Sequence, residues 1–379
     1  MTALARPAQL GPDPLLGGLA CALVAVGFVA IASASVGYGE WHFDNPWHYT
    51  TRHALYLAVA LALAAVAYRV PAEVWQRTSG MWLLLALGLL MLVLVPGVGR
   101  SVNGSQRWLP LGPITVQPSE IAKFALVLYT ASFLVRHAEA VRRHWQGLAK
   151  PVAILGVTGL LLLFEPDFGA TVICTGTVFG MLFLAGARLA YVLLLVSVAA
   201  GGLVFMIVSA PYRLQRLTAY TDPWQDPYGA GFQLIQSLIA YGRGEWWGVG
   251  LANSIQKLFY LPEAHTDFIF SIWAEETGFV GAVLVIVLYC VLIGRILQVG
   301  RGAEQRGESF CAYVCYGVAL IFSGQAFVNM GVSSGLLPTK GLTLPLISSG
   351  GSSLIISCVM LAVVLRIECS LRVAREGRS

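Results

Sequence analysis

The sequence predicts an all-α, polytopic membrane protein of ten spans with a large outer loop between the seventh and eighth. Three observations carry this. Of 379 residues, 57% are hydrophobic and only 11% charged, against about 25% charged in a soluble domain. Apolar runs long enough to cross about 30 Å of hydrocarbon recur along the chain. Alternating segments of about ten residues, the mark of a membrane barrel, are missing.

The runs fall at roughly 15–36, 54–68, 81–95, 119–135, 151–164, 168–185, 189–209, 268–293, 310–332 and 350–366. The first imitates a secretion signal, since Arg6 precedes it and Ala32-Ser33-Ala34 resembles a cleavage site. Its length exceeds the roughly 7–15 apolar residues of a signal core, so it reads as a retained span. The third, fifth and sixth are short or broken, and Glu165-Pro166-Asp167 makes the fifth and sixth a tight hairpin. The chain therefore divides into a tail (1–14), a membrane domain (15–368, containing the 210–267 loop) and a second tail (369–379). The seven cysteines include no C-x-x-C pair and read as small core residues rather than a disulfide or metal set.

Ten spans put both ends on one face. That face collects 15 of the 24 Lys and Arg residues, the other eight, and Lys123 lies within a span. The positive-inside rule then places both termini in the cytoplasm. The net charge of +5 is mostly this topology signal and implies no nucleic acid. The 97–118, 210–267 and 333–349 loops face outward, where no nucleotide is available. The chain has no G-x-x-x-x-G-K-[ST] and no G-x-G-x-x-G after a strand. Chemistry on this face must draw its energy from the substrate, for instance a lipid-linked pyrophosphate. Within the long loop, GFQLIQSLIAYGRGEWWGVG reads as an amphipathic helix lying in or dipping into the interface, with Trp246 and Trp247 at its end. An interfacial helix that only seals the bundle has the same pattern.

Ionisable groups at or inside spans are candidates for function by default. Asp267, at the lip of span eight, fits an N-cap and a catalytic carboxylate equally well. Glu275 and Glu276 follow it by about 12–14 Å along a helix. That is too far for a carboxyl pair acting on one sugar, which needs about 5–9.5 Å, so they read as bonds to neighbouring helices. Glu120 and Lys123 share one helix face three residues apart, and either neutralise each other or line a polar cavity. Glu165 and Asp167 read as an exposed turn or as site groups. Arg107, Arg213, Arg216, Arg243, Lys257 and Lys340 lie outward, as lipid-headgroup contacts or phosphate clamps. Gly350-Gly351-Ser352-Ser353 opens the last span, for close packing or for backbone N–H groups offered to an anion.

LPEAHTDFIF followed by AEETG, together with VNGSQRWLPLGPITVQPSEIAK, EPDFGAT and LLPTKGLTLPLISSGGSS, resembles the SEDS family (shape, elongation, division, sporulation). The likeness runs from about residue 15 to 368, and the PTKGLTLPLIS form is more similar to its cell-division branch than to its elongation branch. The resemblance implies ten spans and a glycosyltransferase that polymerises lipid II, an undecaprenyl-pyrophosphate disaccharide-pentapeptide, into β-1,4 glycan at the division septum. It implies Asp267 as the catalytic residue, Trp108 as a functional one, and Glu120 and Lys123 as cavity charges. Arg107, Arg243, Lys257, His265, Lys340 and Ser352 join them as candidate substrate contacts. The implied partners are a class B penicillin-binding protein that supplies transpeptidation, other divisome membrane proteins, and membrane lipids. No organic cofactor is implied; fixed cations or a divalent ion, magnesium or manganese, would balance the leaving group. A lipid II flippase and a divisome scaffold are the rival readings. The flippase needs charged pathways on both faces, whereas the charged motifs gather on one.

Overall fold

In a computed structural model the described residues are 13–102, 105–112, 114–208, 220–229, 231–338 and 341–376. Lys340, Arg213 and Arg216 lie outside them. The chain opens with α1 (Pro14–Phe43), α2 (His48–Arg69), α3 (Ala72–Val93), β1 (Arg100–Val102), β2 (Ser105–Leu111) and β3 (Ile114–Val116). Then come α4 (Pro118–Arg136), the short α5 (Ala138–Arg143), α6 (Gln146–Phe164), α7 (Phe168–Leu184) and α8 (Leu189–Val208). The chain ends with α9 (Phe232–Gly244), α10 (Ile269–Glu304), α11 (Ser309–Ser333) and α12 (Gly351–Glu376). Among the described residues eight helices are long and apolar enough to cross a membrane. Two shorter apolar stretches, Phe168–Leu184 and Leu189–Phe205, stand where spans six and seven were expected.

Local chemistry sets the ends. Asp13 accepts a hydrogen bond from the N–H of Leu15 and Pro14 opens α1, the pairing that suits a helix start. Asp167 does the same for α7 through the N–H of Ala170, and Pro118 opens α4. Asp13 also binds Arg295 at 2.7 Å, and Glu368 joins Arg295 and Arg372, so one charged cluster ties the ends of α1, α10 and α12 together.

Helix α4 is the axis of the bundle: 89% of its apolar window is buried, against 28% for α1, α2 and α3. It packs on α3, α7 and α11. Burial this deep allows ionisable groups only in pairs, and Lys123 Nζ lies 2.7 Å from Glu120 Oε1.

Helix α10 breaks at Gly278, whose φ of 71° is open to glycine and costly for other residues. The break frees backbone groups that need partners at membrane depth. The Glu245–Gly250 segment supplies them: Val249 and Gly250 donate to the carbonyls of Glu275 and Glu276, and Phe279 and Val280 donate to those of Glu245 and Trp246. A Cβ on Gly278 would stand 2.4 Å from the nitrogen of Gly248. The amphipathic segment is thus stitched into a span rather than resting on the interface. Helix α9 packs on α10, and its Ser237 hydroxyl lies 2.6 Å from that of Ser271. Trp246 and Trp247 remain exposed.

The 97–118 loop holds an antiparallel meander in the order β1-β2-β3, with Leu109 opposite Val116. Its strands are too short to show a period in the sequence. Tyr56 of α2 anchors β3, receiving the N–H of Thr115 at 3.0 Å. Ser352 donates to the carbonyl of Thr115 at 3.0 Å and accepts from the N–H of Gln117 at 2.9 Å. Gly351 lies so close to the Tyr56 ring that a Cβ would come within 2.3 Å of it. The glycine-serine start of α12 is therefore a packing joint, and Ser352 is spent on it rather than offered to an anion.

Candidate functional site

Asp267 sits at the end of a turn just outside α10. Glu263 begins the turn with a φ of 55°, and its carbonyl accepts the N–H groups of Thr266 and Phe268. The Thr266 hydroxyl donates to Glu263 Oε2 at 2.7 Å, fixing that carboxylate beside the turn. The 341–350 loop closes over it: the N–H of Ser349 donates to the carbonyl of His265 at 3.0 Å, and the Ser348 hydroxyl to that of Thr266 at 2.6 Å. Asn329 of α11 holds both loops, its amide nitrogen donating to the carbonyls of Asp267 at 2.9 Å and Leu342 at 2.6 Å. A Cβ at Gly341 would stand 2.6 Å from Asp267 Oδ2, so glycine leaves that carboxylate room.

The N-cap of α10 is Phe268, and no side chain caps that helix. The capping role open to Asp267 from the sequence is thereby removed. Its carboxylate makes no hydrogen bond among the described residues while staying half-buried. Burial pushes its pKa up to about 7, the Glu263 and Asp167 charges push the same way, and Arg107 pulls it back. Those four side chains come from three loops at one end of the bundle, so the electrostatic neighbourhood of Asp267 is assembled by the fold.

Arg107, on β2, reaches the α6–α7 hairpin. Its Nε donates to the carbonyl of Glu165 at 2.9 Å and its Nη2 to that of Pro166 at 2.5 Å, leaving Nη1 without a bond among the described residues. The hairpin is no exposed turn: Glu165 is 0% and Asp167 3% exposed. Asp167 accepts from Gln117 Nε2 at 3.2 Å. Neither oxygen of Glu165 has a partner among the described residues, and burial, with Asp167 adding to it, lifts its pKa to about 8. Glu165 is a neutral acid at pH 7.

The other expected contacts divide. Lys257 is buried, its Nζ 2.8 Å from Glu276 and 2.9 Å from the Ser33 hydroxyl. It ties the long loop to α1 and α10 and is not free for phosphate. Glu275 binds Arg243 at 3.3 Å, the Ser254 hydroxyl, and the N–H groups of Ile255 and Gln256. Glu275 and Glu276 thus bond to neighbouring segments, and Arg243, 40% exposed, is half-committed. His265 packs between Tyr38 and Tyr49, with ring centroids 5.7 and 4.8 Å away. Burial depresses its pKa, so it is a neutral wall of the site. Trp108 is half-buried on β2 opposite Arg100. Glu120 and Lys123 neutralise each other below the site.

An apolar groove of about 500 Å³ runs between α2, α3, α4 and α12, walled by Leu63, Trp82, Phe124 and Val359. Val116 and Ser352 close its outer end. The next residue, Gln117, touches Asp167, so the groove ends within a residue of the charges around Asp267.

Glu263, Asn329 and Gly341 join the site without a motif or spacing that marks them individually in the sequence. Glu263 lay four residues before Asp267 in plain view. Asn329, a polar residue amid the apolar run of α11, carried the signal of a buried amide needing two partners.

The family described as cell cycle proteins, FtsW/RodA/SpoVE, matches residues 14–373. This chain belongs to that family. Relatives named probable peptidoglycan glycosyltransferase FtsW include one from Hahella chejuensis, 54% identical over 93% of this chain and 89% of its own. Another, from Nitrosococcus halophilus, is 50% identical over 97% and 95%. Among solved structures, one described as showing structural coordination of polymerization and crosslinking by a peptidoglycan synthase complex superposes with a TM-score of 0.75. It is 34% identical and covers 95% of this chain and 98% of the other. The rod shape determining protein RodA of Thermus thermophilus gives 0.69 at 29% identity, covering 95% and 97%. The all-α polytopic fold is thus shared across the FtsW/RodA/SpoVE family, and the FtsW relatives match over nearly the whole chain.

Proposed function

We propose that this FtsW/RodA/SpoVE chain is a peptidoglycan glycosyltransferase that lengthens glycan from lipid II at the outer face of the cytoplasmic membrane, with Asp267 as general base. The observation that carries the assignment of the base is a half-buried carboxylate with a pKa of about 7 at the outer lip of the bundle. A base titrating near the working pH is the most effective kind, contributing typically about 10²–10⁴-fold.

The 4-hydroxyl of one sugar attacks the anomeric carbon of the other, and its proton passes to Asp267. The carbon–oxygen bond to pyrophosphate breaks, and the electron pair leaves with the phosphate. One displacement on an α-linked donor gives a β-linked product. Pyrophosphate leaves without a protonating acid, which is why Asp267 needs no second carboxyl at glycosidase distance. Arg107, held by the Glu165 and Pro166 carbonyls and near enough to Asp267 to lower its pKa, is the fixed cation for the developing charge, with Arg243 and Lys340 as further cations of the outer loops. The apolar groove suits the polyprenyl tail, which stays in the bilayer while the sugars reach the lip. No group of three or more His, Cys, Asp or Glu side chains among the described residues is spaced to hold a metal. A magnesium or manganese ion shared between the substrate's phosphates and one or two carboxylates needs fewer protein ligands than that, and no step is assigned to one.

The synthase-complex neighbour supports a class B penicillin-binding protein as partner, the likeness to FtsW relatives favours work at the division septum, and the Lys and Arg count favours cytoplasmic termini. The test is glycan synthesis from lipid II by the purified protein with its penicillin-binding partner. Asp267→Asn keeps the fold and makes no polymer; normal polymer from this variant removes Asp267 as the base.

A further inference from the structure

The face that carries both termini, cytoplasmic by the charge count, holds a second polar feature. A cavity of about 580 Å³ lies between α3, α4 and α6, with Arg77, Arg136 and Lys150 set against one carboxylate, Glu73. The hydroxyls of Ser79 and Ser132 both donate to the carbonyl of Gln76, at 2.9 and 3.4 Å. This closes α3 onto α4 and gives the cavity a fixed wall. None of the three cations makes an ion pair among the described residues. A second cavity of about 420 Å³ shares Glu73 and Gln76, adds the carboxylate of Glu308 and the cation of Arg366, and extends to α11 and α12, so four cations face two carboxylates across the pair. There the Nε–H of Arg366 is buried with no hydrogen-bond partner among the described residues. The positive-inside rule accounts for cations on this face. It does not account for their placement round a concave polar space, nor for a buried guanidinium donor left unsatisfied among the described residues, which is costly in a dry interior.

We propose that this double cavity binds a phosphate ester, supplied by the headgroup of an anionic phospholipid in the leaflet at this end. Two guanidinium groups offer the planar donor forks that match phosphate oxygens, and the nearby Lys150 adds a point charge. Juxtamembrane cations are attracted to anionic headgroups, and a concave site adds shape to that attraction. The ligand satisfies the Arg366 donor and offsets the excess positive charge. This site lies at the opposite end of the helices from Asp267 and does not depend on the proposed catalytic role.

The test is native mass spectrometry of the full chain in detergent, exchanged against phosphatidylglycerol or phosphatidylcholine. Phosphatidylglycerol is expected to be retained in preference. Arg77→Gln combined with Arg136→Gln should cut its retention at least about ten-fold, the weight of one charged hydrogen bond, while glycan synthesis from lipid II persists as the sign of a folded protein. If the double variant loses that synthesis, Lys150→Gln, at an exposed position, is read in its place and should still lower retention. Equal retention of both lipids, or phosphatidylglycerol held by the variants as by the parent, overturns the site. Displacement of the lipid by millimolar glycerol 3-phosphate overturns the lipid source and assigns a soluble phosphate ester.

Discussion

Asn329 donates its side-chain amide to the backbone carbonyl of Asp267 across 2.9 Å. The same nitrogen reaches Leu342 in the loop that closes over the site, so one buried residue sets the height of the carboxylate and of its cover. Asn329→Ala leaves two carbonyls without that donor and lets both loops drift. A misplacement of about 1 Å costs catalysis on the order of 10²-fold. Single-turnover glycan synthesis should fall by about that factor, with lipid II affinity changing much less. An equal loss in affinity would mean that Asn329 serves binding rather than placement.

The pH dependence of polymerisation reports the carboxylate directly. A base must be deprotonated, so with a pKa of about 7 the rate of the parent should rise through neutral pH and level off above it. Glu263 raises that pKa by its charge. Glu263→Gln should therefore move the acid limb to lower pH and leave more activity at pH 6 than the parent keeps. Arg107 acts oppositely, so Arg107→Gln should move the limb to higher pH as well as weaken pyrophosphate binding. Unmoved limbs in both variants would separate the titration from Asp267.

Each part of the structure left its own kind of signal in the sequence. Spans announce themselves because hydrocarbon demands long apolar runs, and every expected run contains a helix. Their ends were less legible. Helix α3 begins at Ala72, well before the apolar run at 81, because polar first turns such as Glu73 and Gln76 are helical without being greasy. Asp267 was legible as a charge at a lip and through its family motif, but its environment was not. Arg107 and Asp167 come from loops distant in sequence, and only the packing of three loops brings them together. Lys257 and Ser352 read as substrate contacts because a cation and a hydroxyl look alike whether free or bonded. Glu276 and Thr115, which occupy them, lie 19 and 237 positions away. The break in α10 left a trace only as a glycine after AEET.

Lys257 and Glu276 form a buried pair in which each needs the other. Their side chains are 9% and 1% exposed. Lys257→Met strands a buried carboxylate, and removing one partner of such a pair costs about 3–5 kcal/mol. The variant should melt well below the parent. Adding Glu276→Leu should restore much of the loss, since an apolar pair of similar volume is often neutral. A double variant no more stable than Lys257→Met would place the effect in lost packing instead.

Glu165 offers a test of stability against pH. Its carboxyl has a pKa raised from 4.5 to about 8, so the folded chain holds a proton that the unfolded chain releases above about pH 4.5. The penalty is absent at low pH, grows from about 4.5 to about 8, and is constant beyond. Over that window it amounts to a few kcal/mol at most, at about 1.36 kcal/mol per pH interval. Glu165→Gln keeps the shape and removes the titration. The variant should match the parent at pH 4.5 and be the more stable at pH 8, measured by thermal unfolding in one detergent. A parent that gains stability relative to Glu165→Gln as pH rises would show that the carboxyl is ionised and paired in the folded protein, contrary to its 0% exposure and its two unpartnered oxygens.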